Sequence, residues 1–137
     1  MSVVLDASIA VAWLFSDERG DAPQTILRRV AAEGAVVPSL WRLEVANVLR
    51  NAVRRKRCGV GYATRSLMRL DRLPILVDAE TDTHAWGRTR QLSIEYDLTL
   101  YDAAYLELAV RRSLPLASHD AALVEAGQKA RIEVLGG

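Results

Sequence analysis

The sequence predicts an α/β fold of three layers, a mostly parallel central sheet of about five strands between two layers of helices. Short apolar, often β-branched runs (Val3-Val4-Leu5, Ala35-Val36-Val37, Pro74-Ile75-Leu76-Val77, Leu116-Ala117-Ser118 and Ile132-Glu133-Val134-Leu135) alternate with longer segments of helical spacing. The intervals between runs are long enough to hold a helix, as a crossover between parallel strands requires. The chain has 137 residues, half of them hydrophobic, without repeats, linkers or low-complexity stretches. One domain spanning residues 1–137, with a core of useful size, is therefore expected.

Val3-Val4-Leu5 is too short and too β-branched for a helix, whereas Ser8 to Phe15 reads as a helix capped by Asp6 or Ser8. A second helix covers Ala22 to Glu33, with Pro23 in its first turn and Gly34 ending it; Pro38 then stops the second strand. Ser39 is placed to cap a helix from Leu40 to about Arg57, which carries Trp41, Val45, Val48, Leu49, Ala52 and Val53 on one stripe before Gly59 and Gly61 break it. Tyr62 to Arg72 is a further amphipathic helix, and the third strand ends at Asp78. Thr81 to Tyr96 reads as one helix. Tyr101 to Arg112 is the next, with Tyr105, Leu106, Ala109 and Val110 inward, and a short helix from Ala121 to Lys129 precedes the last strand.

The formal net charge is only +1, but charge is segregated. Residues 42–72 hold nine basic residues against two acids, and residues 73–110 hold seven acids against two basic residues. A phosphate-contacting surface beside an acidic pocket has this pattern. The single cysteine, Cys58, cannot form an internal disulfide, and no Cys/His spacing suggests zinc, so a reducing cytoplasm fits. Asp6 interrupts the first apolar run early, which argues against a signal peptide, and no stretch approaches the roughly 20 apolar residues of a membrane helix.

Four acids stand out. Asp6 follows the first strand, Asp120 follows the fourth by two residues, Asp102 opens the helix before that strand, and Glu44 shares a helix face with Trp41 and Val48. In open parallel sheets ligands bind at the carboxyl ends of the strands. Each aspartate alone is readable as a helix cap worth roughly 0.5–2 kcal/mol, and Glu44 as an edge residue reaching solvent. Together they describe a pocket in which crowded carboxylates need a divalent cation, a hard ion that takes oxygen ligands.

The segments Val4-Leu5-Asp6-Ala7-Ser8, Pro38-Ser39-Leu40-Trp41-Arg42-Leu43-Glu44-Val45-Ala46-Asn47-Val48-Leu49, Leu98-Thr99-Leu100-Tyr101-Asp102-Ala103-Ala104-Tyr105-Leu106-Glu107-Leu108-Ala109 and Leu116-Ala117-Ser118-His119-Asp120 carry a resemblance over nearly the whole chain. They resemble the PIN-domain ribonucleases, in particular the VapC-like toxins of bacterial toxin–antitoxin pairs. The resemblance implies a PIN-like three-layer fold and makes Asp6, Glu44, Asp102 and Asp120 the acidic quartet, with Ser8 and Ser118 as hydroxyl positions near the metal. Where Ser118 stands the family usually has Thr, which keeps the hydroxyl. His119 matches no fixed family ligand and is read as a bystander.

The resemblance further implies endonucleolytic hydrolysis of RNA with Mg²⁺ or Mn²⁺, a cognate VapB-like antitoxin whose tail covers the pocket, and a homodimer, with no membrane association. Arg50, Arg54, Arg55, Arg57, Arg65 and Arg69 are candidate contacts to the RNA backbone, or else an ordinary solvated helix face. Trp13, Trp41 and the apolar residues of the first, third and fourth helices are either a groove for the antitoxin or core. A phosphoacceptor domain of the haloacid or receiver type is a poor fit, because Lys56 and Lys129 are the only lysines and neither follows an apolar strand. A module of the same fold that binds RNA or protein without cleaving remains the alternative.

Overall fold

In a computed structural model, residues 2–15 and 21–136 are described, except for the side chain of Asp21. The elements run β1 (Val3–Leu5), α1 (Ala7–Leu14), α2 (Asp21–Glu33), β2 (Ala35–Val37), α3 (Trp41–Arg54), α4 (Val60–Asp71), β3 (Ile75–Val77), α5 (Thr81–Ala85), α6 (Arg88–Tyr96), α7 (Leu100–Arg112), β4 (Leu116–Ala117), α8 (Ala121–Lys129) and β5 (Val134–Leu135). The five strands pair in the order β3-β2-β1-β4-β5, and every pairing is parallel. Val4 lies opposite Val36 on one side and Leu116 on the other.

This order has a functional consequence. The chain leaves β1 toward β2 and β3, then returns to add β4 and β5 on the other side. Right-handed crossovers therefore send α1–α4 to one face and α5–α8 to the other, in keeping with the contacts of α1 with α2 and α3 and of α7 with α5, α6 and α8. The direction reverses between β1 and β4, and the carboxyl ends of strands at such a reversal leave a crevice for ligands. Asp6 and Ser118 follow those two strands.

β1 is wholly buried, which its unbroken apolar run requires of a strand covered on both faces. α7 has no solvated face over Ala103–Ala109, so it is a buried helix; only its ends reach the surface. Helix α8 approaches β4 and β5 closely at Gly127, where a Cβ would lie 2.8 Å from Val134 Cγ2. Trp13 and Trp41 are core residues, and the indole of Trp13 donates to the Pro23 carbonyl at 2.8 Å, tying α1 to α2. Trp41 forms part of the lining of a groove of about 370 Å³ between α3 and α4, shared with Val45, Leu67, Met68, Leu70 and Ile75.

Some local expectations are corrected. The stretch 81–96 is two helices, because at Gly87 the backbone leaves helical geometry (φ −103°, ψ −106°) and turns the chain. Ser39 does not cap α3; its N–H donates to Thr81 Oγ1 at 3.0 Å instead. Neither Asp6 nor Ser8 caps α1 through its side chain, since the two bond to each other. Gly61 lies inside α4, whose start is set by Gly59. Among the described residues no helix is long and apolar enough to cross a membrane.

Candidate active site

Asp6, Glu44, Asp102 and Asp120, from four separate elements, line one open cleft of about 620 Å³ together with Ser8, Val11, Val48 and His119. The four acids predicted from sequence are thus brought together, at the β1–β4 reversal.

Asp6 is 6% exposed, and its Oδ2 accepts from Ser8 Oγ at 2.8 Å and Ser118 Oγ at 2.7 Å. Both hydroxyls are themselves held, Ser8 by accepting the His119 N–H (2.9 Å) and Ser118 by accepting the Asp120 N–H (3.0 Å). Ser8 and Ser118 together form a rigid support for Asp6. Burial pushes the Asp6 carboxyl above its usual range, partly offset by these hydroxyl bonds and reinforced by Asp120.

Glu44 lies in the first turn of α3, half-buried, with Tyr105 of α7 donating its hydroxyl to Oε1. This bond joins the two helical layers over the edge of the sheet. Burial, then the charges of Asp6 and Asp102, raise the carboxyl despite the bond. The sequence marks Tyr105 only as an inward residue. Its position three residues after Asp102, on the same helical face, is the available signal for a role in the site.

Asp102 is not the cap of α7. Thr99 takes that role, its Oγ1 accepting the Asp102 N–H at 3.1 Å, so the Asp102 carboxylate is left for the cleft. Burial and the neighbouring Asp120 and Asp6 push it up to about 6. Asp120 does cap: Oδ2 accepts the Leu123 N–H at 2.9 Å, which commits one of its oxygens to α8.

Raised carboxylates have a thermodynamic signature. A folded-state value above the unfolded one means that the group favours folding below the unfolded value and loses that contribution as pH rises through the folded one. For Asp102 the window runs from its ordinary 3.8 to about 6. In chelator, Asp102→Asn should therefore gain stability relative to the parent between pH 4 and 8, by about 1 kcal/mol after allowance for solvent screening. Thermal melts of both proteins across that range check it; a constant difference in Tm would contradict it.

The cleft offers carboxylate and hydroxyl oxygens with no thiolate, the donor set preferred by hard divalent cations. Among the described residues no group of three or more acidic, histidine or cysteine side chains is set closely enough to hold a metal ion as the structure stands.

The six candidate arginines are all exposed; Arg57 also stacks over Phe15 at 4.0 Å and Arg69 lies over Tyr62 at 5.9 Å, so these two have local packing roles as well. Arg55, eleven residues beyond Glu44, returns to almost the same side of the helix about 16 Å along its axis.

Sequence reasoning missed a second acid pair. Asp78 and Glu107 are buried, with side chains 1% and 3% exposed, and share Arg111 through bonds of 2.6 and 2.7 Å. Arg111 holds the Asp78 carboxyl below its usual range.

Comparison with known proteins agrees with this geometry. The PIN-domain family matches residues 3–129. Ribonuclease VapC9 of Mycobacterium tuberculosis is 35% identical over 127 residues, covering 92% of this chain and 91% of the relative, and a VapC ribonuclease of Mycobacterium bovis matches equally well. Among solved structures, the protein PAE2754 of Pyrobaculum aerophilum superposes with a TM-score of 0.68 at 24% identity, covering 92% of this chain and 79% of that one. VapBC2 of Rickettsia felis, bound to a DNA fragment from its promoter, gives 0.63 at 14% identity, covering 98% and 97%. These two likenesses concern the fold. The chain belongs to the PIN-domain family, in which it groups with the VapC ribonucleases.

Proposed function

We propose that the acidic cleft is the catalytic centre of a divalent-metal-dependent endoribonuclease, using Mg²⁺ or Mn²⁺, and that the chain is the toxin of a toxin–antitoxin pair. The observation that carries this reading is the convergence of four carboxylates from β1, α3, α7 and the β4–α8 junction on one cleft, three of them raised by burial and mutual repulsion. Relief of that repulsion by a cation is the physical reason for placing metal there.

Asp6, Glu44 and Asp102 would hold the cation directly or through water, and Asp120 would serve with its uncommitted oxygen. When bound, the cation supplies an activated water and neutralises charge on the phosphate and the leaving oxygen. The protein's own contribution is positional. Ser8 and Ser118 fix the Asp6 carboxylate, Tyr105 fixes Glu44, and Thr99 frees Asp102 by taking over the cap. Cleavage of mixed RNA with Mg²⁺ or Mn²⁺, against a chelated control, tests the reading. Binding without cleavage under any of these conditions would favour the non-catalytic alternative instead.

The exposed arginines at the end of α3 and its C-cap, Arg54 and Arg55, support an RNA path leading away from the cleft. Arg54→Ala with Arg55→Ala should weaken RNA binding and reduce the slope of log K against log salt by about 1.4, near 0.7 for each lost single-strand phosphate contact. A salt titration by fluorescence anisotropy measures it, and an unchanged slope would remove these residues from the path.

For partners, we propose a VapB-like antitoxin and a second copy of the chain. The apolar groove between α3 and α4 is a candidate seat for an antitoxin segment. Leu43 and Tyr101, 76% and 66% exposed beside Glu44, are candidate dimer contacts. That the matched Rickettsia felis structure is named VapBC2 supports a partner of the VapB type.

A further inference from the structure

If a metal-activated water attacks the phosphate, the ribose 2′-hydroxyl takes no part in bond making, and DNA would be cut as readily as RNA unless the protein reads that hydroxyl. Most polar groups of the cleft are already committed. Ser8 and Ser118 donate to Asp6, each accepts a backbone N–H, and the four acids can only accept, with a cation to share. His119 is different among the residues lining the cleft, because its side chain is polar but not acidic and still has an uncommitted atom.

The ring is oriented by the end of the described chain. His119 Nδ1 lies 2.7 Å from the Gly136 carbonyl oxygen. A carbonyl only accepts, so Nδ1 carries the proton and, in the neutral ring, Nε2 is an acceptor. Gly136 is itself firmly seated. Its φ of +80° suits glycine, and a Cβ there would come within 3.2 Å of both Ile9 Cδ1 and Ile26 Cδ1. On the other side the His119 N–H is anchored to Ser8. Backbone and ring are therefore both held, and among the described residues Nε2 has no hydrogen-bond partner.

We propose that His119 is a specificity-determining residue whose Nε2 accepts a hydrogen bond from a ribose 2′-hydroxyl of the substrate. An acceptor cannot pair with phosphate oxygens, which are acceptors as well, and the 2′-hydroxyl is the donor that an RNA backbone has and DNA lacks. The assignment rests on the proposed cleavage at this cleft.

The experiment compares a single-stranded RNA oligonucleotide with versions carrying one 2′-deoxyribose on either side of the cut, using Mn²⁺ and the full chain as parent, His119→Ala and His119→Asn. Asparagine retains an amide donor near the Gly136 carbonyl but has no atom at the Nε2 position, so it separates support of the chain end from contact with RNA. In the parent, one deoxy position should reduce kcat/KM about three- to tenfold, the worth of one ordinary hydrogen bond. Both variants should lose a similar factor on all-ribose RNA, mainly through KM, and should no longer respond to the deoxy substitution. Equal loss on ribose and deoxy substrates would indicate a contact to phosphate or base, and no loss would indicate a bystander; either overturns the proposal. A parent protein that cuts no RNA with Mn²⁺ would overturn the proposed activity itself, and this assignment with it.

Discussion

Asp6→Asn is expected to abolish metal-dependent RNA cleavage, by a thousandfold or more, while leaving the fold intact. A bound cation contributes several kcal/mol of transition-state charge stabilisation, and each 1.36 kcal/mol corresponds to a factor of ten, so losing about 4 kcal/mol gives that figure. Asp6 is the acid to test because its geometry leaves little else for it to do. It caps no helix and accepts two hydroxyl bonds that fix its direction. Asparagine keeps the shape and one acceptor oxygen, and it removes a charge whose burial is unfavourable in the absence of metal. Initial rates with saturating Mn²⁺, together with a circular-dichroism melt in chelator, separate the two effects. A Tm no lower than that of the parent combined with undiminished cleavage would remove Asp6 from the site. The exposed Asp82, changed to Asn, should alter neither quantity.

Arg111→Ala is expected to destabilise the fold more than any of the cleft substitutions. It takes the shared cation from the buried carboxylates of Asp78 and Glu107 and leaves Asp78 only the more distant Arg112, 3.9 Å away. Breaking a buried pair by removing one partner costs about 3–5 kcal/mol, which for a chain of this size lowers Tm by roughly 10–17 °C. Lysine should rescue only part of the loss, because the guanidinium meets both acids through several nitrogens at once and an ammonium is a single point. The pH dependence gives a second check. Arg111 depresses the Asp78 carboxyl, so the pair stabilises above the ordinary carboxylate range and fades as pH falls through it. The deficit of Arg111→Ala should accordingly be largest near pH 7 and shrink toward pH 4, as the orphaned acids take up protons. Melts at several pH values decide it, and a deficit independent of pH would mean that packing, not charge, is what Arg111 supplies.

Asp6 and Asp78 also show what a sequence can and cannot separate. Each is an acid directly after a short apolar run, and both follow parallel strands of one sheet. One faces a cleft of carboxylates, and the other is neutralised by an arginine 33 residues further along. The apolar run before each is alike, and for Asp78 the deciding group arrives from a different element. The i, i+4 spacing of Glu107 and Arg111 is visible as a helical ion pair, but its extension to Asp78 depends on where α7 crosses the sheet.

Helix caps are similarly ambiguous. The sequence offers Asp6, Asp102 and Asp120 equally as caps, yet only Asp120 uses its side chain that way, and Thr99 relieves Asp102 of the task. Competition among nearby acceptors for the same N–H groups is settled by backbone geometry, which short motifs do not encode. The break at Gly87 escapes the sequence for a related reason: a single glycine is tolerated inside a helix, so only the backbone turn there shows that α5 ends.

The alternation of apolar runs with helical segments was sufficient to establish the parallel α/β architecture, since the period of burial follows from backbone geometry alone. That Asp6, Glu44, Asp102 and Asp120 line one cleft agrees with the grouping their type and spacing suggested. Tertiary structure decided which of them are held rigid and which are shared with a helix end, and it made His119 a fixed part of the cleft wall through Gly136 and Ser8. Those outcomes depend on contacts between residues as much as 112 positions apart, as in Ser118 and Asp6. Hydrogen bonds act over about 3 Å in space, a distance that separation along the chain does not determine.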